Sequence, residues 1–434
     1  TRLDDLRYND MLSHDSWSAD YHFMVTPNYV VFKHRSFVWA AFGSCMDDSP
    51  WWPRGIITED FENLAADRIQ TVFGSFETWE FQDSLKVEWW QEIPQEGTIW
   101  GQWPKVSNIE ILHQDRKGFL VRINENQIAR ITPFHLGNDL SRLMQYSPWR
   151  DALSDQALKL PSMIYHVNNN DRIVVYDCQN IAVQADDFDC EKLAANLGSI
   201  HDALQDFATP NTERRWNDRL KDIEAELKVT TLWRAPHSKY TVGLPRINLD
   251  LDLLSKEGDE LVFIADVRSP VEHLLCQADR LPGLANLMLI EQQISFAKGL
   301  NERERKSMLE AYLAKAPNSY SHKKAISTLM GGPWIWRYHA VLLAMGEARF
   351  YGDEELGRRA QNWLNDVSRI QAHLGVLRLW KSGLWGGIIG VVIAFFAWRM
   401  ETTSPTLAGL AGGLCLLGAL ACNMIYWAKD PQPY

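Results

Sequence analysis

The 434-residue sequence lacks the marks of several large functional classes. Positive charge is not in excess: 44 Lys and Arg stand against 55 Asp and Glu, a net charge of −11. A nucleic-acid binder needs a basic stripe to replace the counterions on phosphate, so that class is excluded. The six cysteines (Cys45, Cys178, Cys190, Cys276, Cys415 and Cys422) form no CxxC pair. Their spacing argues against a disulfide framework or zinc cage and suits a reducing compartment. No GxSxG, HExxH, Walker or dinucleotide-binding motif occurs. Residues 1–16 are polar, so no signal peptide is expected there. What is present is a globular composition, 46% hydrophobic and 23% charged, long enough for two or three domains. A mean hydropathy of −0.27 conceals a strongly apolar tail.

That tail reads as a membrane hairpin. Between Gly383 and Ala428 only Arg399 and Glu401 carry charge, in a short break ending at Pro405. The apolar runs on either side are 384–398 and 407–428. About 20 residues cross the hydrocarbon core. The second run meets that length, and the first does so with its flanks. Trp380, Trp385, Trp398, Tyr426 and Trp427 stand near the ends, where amphipathic rings favour the interface. Arg369, Arg378 and Lys381 precede the first span, Arg399 alone lies in the loop, and Lys429 follows the second. This bias places the large N-terminal region and the short C-terminus in the cytoplasm, in a two-pass protein of the inner membrane. Gly383/Gly387, Gly386/Gly390 and Gly409/Gly413 recur at helical spacing and let backbones approach. Packing of the two spans on each other is the expected use.

The rest of the chain divides into a module over 1–105, a main domain over 106–350 and a juxtamembrane helix over 351–382. The spans cover 383–428 and a tail 429–434. The first module is rich in aromatics, with strands expected near 29–33 and 36–42 and a helix over 60–70. Its paired tryptophans, Trp51-Trp52 and Trp89-Trp90, suit core packing or a partner surface. From Ser107, strands are expected at 108–112, 118–123 and 127–131, then a helix over 136–153. Strands at 162–166 and 172–177 follow, then helices over 190–207 and 212–227. A strand–turn–strand over 244–268 precedes a mostly helical remainder.

This order resembles the bilobal protein-kinase-like fold, and the nearest resemblance is to the lipopolysaccharide core kinases and their aminoglycoside-phosphotransferase-like relatives. It spans about 107–316. Leu193-Ala-Ala-Asn-Leu-Gly-Ser-Ile-His-Asp-Ala-Leu204 resembles the helix ending in Leu-His before the catalytic loop. Leu261-Val-Phe-Ile-Ala-Asp266 is similar to the strand ending in a metal-binding Asp, and 279–287 with 300–312 to the stretch that follows. The fold class expected is therefore α+β, a kinase-like domain with an aromatic-rich module before it and a transmembrane hairpin after it.

The chemistry the family needs is incomplete. Phosphoryl transfer requires a loop over the phosphates, a lysine on the third strand, a base and metal ligands. His113-Gln-Asp-Arg-Lys-Gly118 has one glycine. Arg130 stands where the lysine belongs, and its planar fork is no simple substitute. In 243–253, placing Asp250 or Asp252 at the catalytic-loop Asn puts Pro245 or Ile247 at the base. Only Asp266 fits its role. The cofactor-binding candidates are thus Arg130 and Asp266, the metal candidates Asp266 and Asp252, and no catalytic residue is assigned. Asp250-x-Asp252 also matches the DxD of glycosyltransferases, but period two puts both aspartates on the solvent side of a strand. His201-Asp202 reads as a packed helix end.

The expectation is a non-catalytic, membrane-anchored pseudokinase that scaffolds or regulates other protein subunits of an inner-membrane complex, with no cofactor. The alternative is a divergent kinase acting on an envelope sugar or lipid with Mg-ATP.

Overall fold

The structure is a computed structural model. It describes residues 21–25, 30–34, 37–41, 50–51, 68–71, 74–77, 79, 81–134, 136–183, 189–210, 213–227, 242–249, 251–257, 260–276, 280–321, 326 and 332–429. Trp52, Asp250 and most of the helix expected over 60–70 lie outside these. The described end of that run, Arg68–Thr71, is a strand.

In chain order the strands begin with a meander, β1 (Tyr21–Val25), β2 (Val30–His34) and β3 (Phe37–Ala41), and a hairpin, β4 (Arg68–Thr71) and β5 (Gly74–Glu77). Helix α1 (Val87–Gln91) leads to β6 (Thr98–Gly101), β7 (Ile109–Asp115), β8 (Gly118–Ile123) and β9 (Gln127–Ile131). Helices α2 (Asp139–Gln145) and α3 (Ser147–Leu153) precede β10 (Leu158–Lys159), β11 (Met163–Val167), β12 (Asn170–Asp177) and β13 (Ile181–Val183). Then come α4 (Cys190–Ala203), β14 (Thr209–Pro210), α5 (Glu213–Glu226), β15 (Val242–Pro245), β16 (Leu253–Glu257) and β17 (Glu260–Ile264). The remainder is α6 (Pro270–Leu275), β18 (Arg280–Pro282), α7 (Gly283–Lys298), α8 (Glu302–Lys315), α9 (Asn318–Ser321), α10 (Gly332–Tyr351), α11 (Glu354–Asn365), α12 (Val367–Arg399) and α13 (Pro405–Lys429). From β7 onward the elements follow the order expected from the sequence, with short strands added, of which β10 and β13 flank the β16–β17 hairpin in a four-stranded sheet.

The main sheet runs β6-β11-β12-β9-β8-β7 and its neighbours pair antiparallel. Strand β8, Gly118-Phe-Leu-Val-Arg-Ile123, is buried at every position but Arg122, as a central strand rich in apolar residues should be. The sheet crosses the boundary expected at residue 105, because β6 pairs with β11. Trp51 packs on Phe119 and Phe134, and Trp90 is buried beside Trp103, so these tryptophans serve the core. The helix expected over 136–153 divides at Tyr146 into α2 and α3. Pro148 lacks an N–H and disfavours helical backbone before it, so it begins a new helix.

The helical part is held by α7, α8 and α10, whose Trp334, Trp336, Tyr338 and Leu342 are fully buried. Asn301 and Glu304 form a capping box at the start of α8. Gly352, at φ +70°, ends α10 in the left-handed conformation open to glycine. Two helical stretches, Glu354–Arg399 and Pro405–Lys429, are long and apolar enough to cross a membrane, with mean hydropathies of 1.6 and 1.8. Their large apolar side chains, Ile389, Ile393, Phe396, Leu410 and Leu417 among them, face outward. Gly387 meets Ala419 and the carbonyl of Cys415, Gly390 meets Cys415, and Gly383 meets Cys422. The helices therefore pack through those three glycines, while Gly386, Gly409 and Gly413 face open space.

Candidate functional site

The sheet and the helical part meet at a cluster of four charged side chains. Strand β9 pairs Arg130 with Leu120 on one side and Val174 on the other, which points its side chain into the interior. There it is fully buried. Its Nη1 donates to Asp115 Oδ1 at 2.7 Å and its Nη2 to Asp266 Oδ2 at 2.9 Å, with Nε 3.3 Å from Asp266 Oδ1. Lys117 reaches the same carboxylate, Nζ to Oδ2 at 3.1 Å. The backbone N–H of Val267 donates to Asp266 Oδ1 at 2.8 Å, and Tyr176 donates its hydroxyl to the carbonyl of Ala265 at 2.8 Å. Two cations and two carboxylates close a compact, nearly dry network.

The titration of the group follows from that geometry. Burial alone would raise the Asp266 carboxyl, but Arg130 and Lys117 beside it hold it below its ordinary value. Burial opposes the charge on Arg130, yet Asp115 and Asp266 drive its pKa upward. Burial, and then the Asp266 charge, push the Tyr176 hydroxyl well above its usual value.

Both sequence candidates for cofactor binding therefore meet, and they meet each other. Lys117 and Asp115 join them from the β7–β8 hairpin, where the sequence offered only a loop poor in glycine. The one glycine there, Gly118, sits at φ +127° with Pro133 2.6 Å from where its Cβ would lie, so the turn itself requires it.

The residue bonded to the Asp266 segment is Asn248. Its side chain donates to the carbonyl of Val267 at 2.7 Å, and its own carbonyl accepts from Asp266 N at 3.2 Å. The kinase pattern puts the catalytic base five residues before this kind of asparagine. Here that position is Gly243, a strand residue of β15 paired with Thr209 and Pro282. Asp252 is half-buried and lines the neighbouring cleft. Among the described residues, no group of three or more His, Cys, Asp or Glu gathers as metal ligands would.

That cleft encloses about 740 Å³ between the hairpin tip and helices α7, α10 and α11. Asp115, Arg116 and Lys117 of the hairpin line it, together with Asn248, Asp252, Gln292, Leu343 and Glu347. Arg116 spans it, donating to Glu347 at 2.6 Å and Asp353 at 2.7 Å.

Two histidine sites invite a catalytic reading and do not carry one. His201 is buried against Tyr312, Nδ1 to hydroxyl 2.8 Å, and burial pushes it down to about 3, so it is neutral and structural. Ser141, His166 and Asp171 lie together, but one ring nitrogen, Nδ1, faces both Ser141 at 3.3 Å and Asp171 at 3.1 Å. A proton relay needs both ring nitrogens. Asp171 instead caps α2, accepting from Leu140 N and Ser141 N, each at 3.1 Å.

No family model matches the sequence, and no curated protein matches it. Among solved structures, the chain is similar to a glucosamine kinase in complex with glucosamine, ADP and inorganic phosphate. The identity is 10%, the match covers 83% of this chain and 96% of that one, and the TM-score is 0.41. A further crystal form of glucosamine kinase gives 10% identity, 81% and 90% coverage and a TM-score of 0.41. A mutant of aminoglycoside 2′-phosphotransferase-IIIa in its GDP complex gives 10% identity, 60% and 91% coverage and a TM-score of 0.39.

Proposed function

We propose that this chain is a membrane-anchored pseudokinase, a non-catalytic scaffold or regulatory subunit of a protein complex at the bacterial inner membrane. One observation carries the reading: Arg130 and Lys117 neutralise Asp266, the carboxylate that the resemblance assigns to a kinase's metal. A magnesium nucleotide needs those same oxygens and brings its own negative charge to them. It does not fit without displacing Lys117. Gly243 at the base position supports the same conclusion, because glycine has no side chain to take the proton of an attacking hydroxyl. The two apolar helices support the anchor, and the basic residues before the first of them support a cytoplasmic body.

A second reading, a divergent kinase for an envelope sugar or lipid, draws on the 740 Å³ cleft that opens beside the charged cluster with Asn248 and Asp252 in its wall. Thermal unfolding of the full chain in mild detergent separates the two. Millimolar Mg-ATP is expected to leave the melting temperature unchanged. A rise that disappears in Asp266→Ala would establish the kinase reading instead.

A further inference from the structure

The cleft contains polar atoms that the fold leaves unused. Gln292, on α7, is 2% exposed, and neither its amide oxygen nor its amide nitrogen has a hydrogen-bond partner. Asp115 is 9% exposed, and the carboxylate oxygen not taken by Arg130 is likewise unpartnered. Both residues line the same cleft. Buried polar atoms without partners are rare in folded proteins and costly, so a pair of them around one cavity marks a place where a ligand supplies the missing partners.

The lining says which ligand. Six carboxylates face or rim the cleft, on Asp115, Asp252, Glu272, Glu347, Asp353 and Glu355. Its three cations are already engaged: Arg116 by Glu347 and Asp353, Lys117 by Asp266, and Arg359 by Glu355. An anion finds no uncommitted charge there, whereas a cation finds the second oxygen of Asp115 and the Gln292 carbonyl. Leu289, Phe296, Ala340, Leu343 and Leu356 make the remaining wall apolar. A hydrated sugar would leave that wall uncovered. An arginine or lysine side chain covers it with its aliphatic stem and presents its donors at the tip.

We propose that this cleft receives a basic side chain from an extended segment of a partner protein, held by Asp115 and Gln292. The assignment rests on the scaffold reading and gives that partner a chemistry.

The test uses the full chain in detergent and a labelled pentapeptide, acetyl-Leu-Ala-Arg-Ala-Leu-amide, with the same peptide carrying citrulline for arginine as a neutral isostere. Fluorescence anisotropy is expected to show the arginine peptide binding at least tenfold more tightly than the citrulline peptide. Gln292→Leu keeps the volume and removes the amide, so it is expected to weaken the arginine peptide tenfold or more while holding or raising the melting temperature. Asp115→Asn is expected to remove the preference for arginine over citrulline. Equal binding of the two peptides overturns the proposal, as does undiminished binding to Gln292→Leu or no binding at 1 mM peptide. Spermidine binding as tightly as the peptide overturns it in favour of a small polyamine. Failure here with no nucleotide-induced shift leaves the scaffold reading standing; a shift that depends on Asp266 removes both.

Discussion

Asp353 divides its carboxylate between two structures: Oδ2 accepts Arg116 from the hairpin tip at 2.7 Å, while Oδ1 caps α11 through the N–H of Leu356 at 2.9 Å. Arg116 is further fixed by Glu347 and by the ring of Tyr351, whose hydroxyl donates to the Arg116 carbonyl at 2.7 Å. The residue after Arg116 is Lys117, which reaches Asp266. A single hairpin tip thus bonds to the buried Asp266 carboxylate and grips the first turn of the helix that leads to the apolar spans.

The two halves of that clamp differ in weight. Arg116→Ala removes ion pairs whose partners are a quarter to a third exposed, which are worth about 0.2–1 kcal/mol each. Asp353→Ala removes one of those pairs and the helix cap as well, and the loss of a cap costs about 0.5–2 kcal/mol. Urea unfolding in mild detergent is expected to rank Asp353→Ala as the more destabilised. If Arg116→Ala is the worse of the two, the cap contributes less than the Arg116–Glu347 pair.

The charged cluster responds to shape as well as charge. Arg130 uses three nitrogens on two carboxylates, a geometry that a lysine ammonium does not reproduce. Arg130→Lys is therefore expected to destabilise the fold, and Arg130→Met more so, by about 3–5 kcal/mol, because it leaves buried carboxylates uncompensated. Urea unfolding of both variants checks this, and full retention of stability in Arg130→Lys would show that charge alone is enough.

Much of this fold is legible in the sequence because hydrophobic period and turn residues announce it. Strands β8 and β9 fall on their expected bounds, β7 runs three residues past its expected end at 112, and the 407–428 run lies within α13. The resemblance to the kinase-like order also singles out Arg130 and Asp266. It does not join them: they are 136 residues apart, and only the meeting of the sheet with the β17 end makes them neighbours. Lys117 was hidden for a different reason, since a lysine in a charged turn reads as solvated. Its burial is visible only once Asp266 stands beneath it. Gln292 carries no signal at all in the sequence, because an unpartnered amide is defined by what fails to surround it. Asn248 could have been found by asking which residue, rather than which acid, precedes the β16–β17 hairpin.

Acid is expected to act partly through His201. Its folded pKa of about 3 lies below the ordinary histidine value of about 6.5, so the unfolded chain binds a proton that the folded chain refuses. The neutral ring's contribution is complete above about pH 6.5 and is lost as pH falls from there toward 3. Between pH 7 and 5 the wild type is expected to lose about 2 kcal/mol more stability than His201→Gln, which keeps a partner for Tyr312 and does not titrate. Denaturant melts at the two pH values measure it. Parallel losses would clear His201 of any part in acid sensitivity.

The apolar hairpin separates its glycines by what they touch. At Gly387 an added Cβ would lie 2.7 Å from both Ala419 Cβ and the Cys415 carbonyl oxygen, so no larger side chain fits without moving α12 away from α13. At Gly409 nothing lies within 4 Å. Leucine at the first position forces apart a close-packed pair, at a cost of about 1–3 kcal/mol, whereas leucine at the second adds one more apolar group to an outward face. Cysteine cross-linking across the pair reads the difference, because Cys415 and Cys422 already face Gly390 and Gly383. With Gly383→Cys placed against Cys422, oxidation is expected to close a bridge in the Gly409→Leu background and to fail in the Gly387→Leu background. If both backgrounds cross-link equally, the glycine contacts do not hold the hairpin together, and its association has to come from the connecting turn and the surrounding lipid.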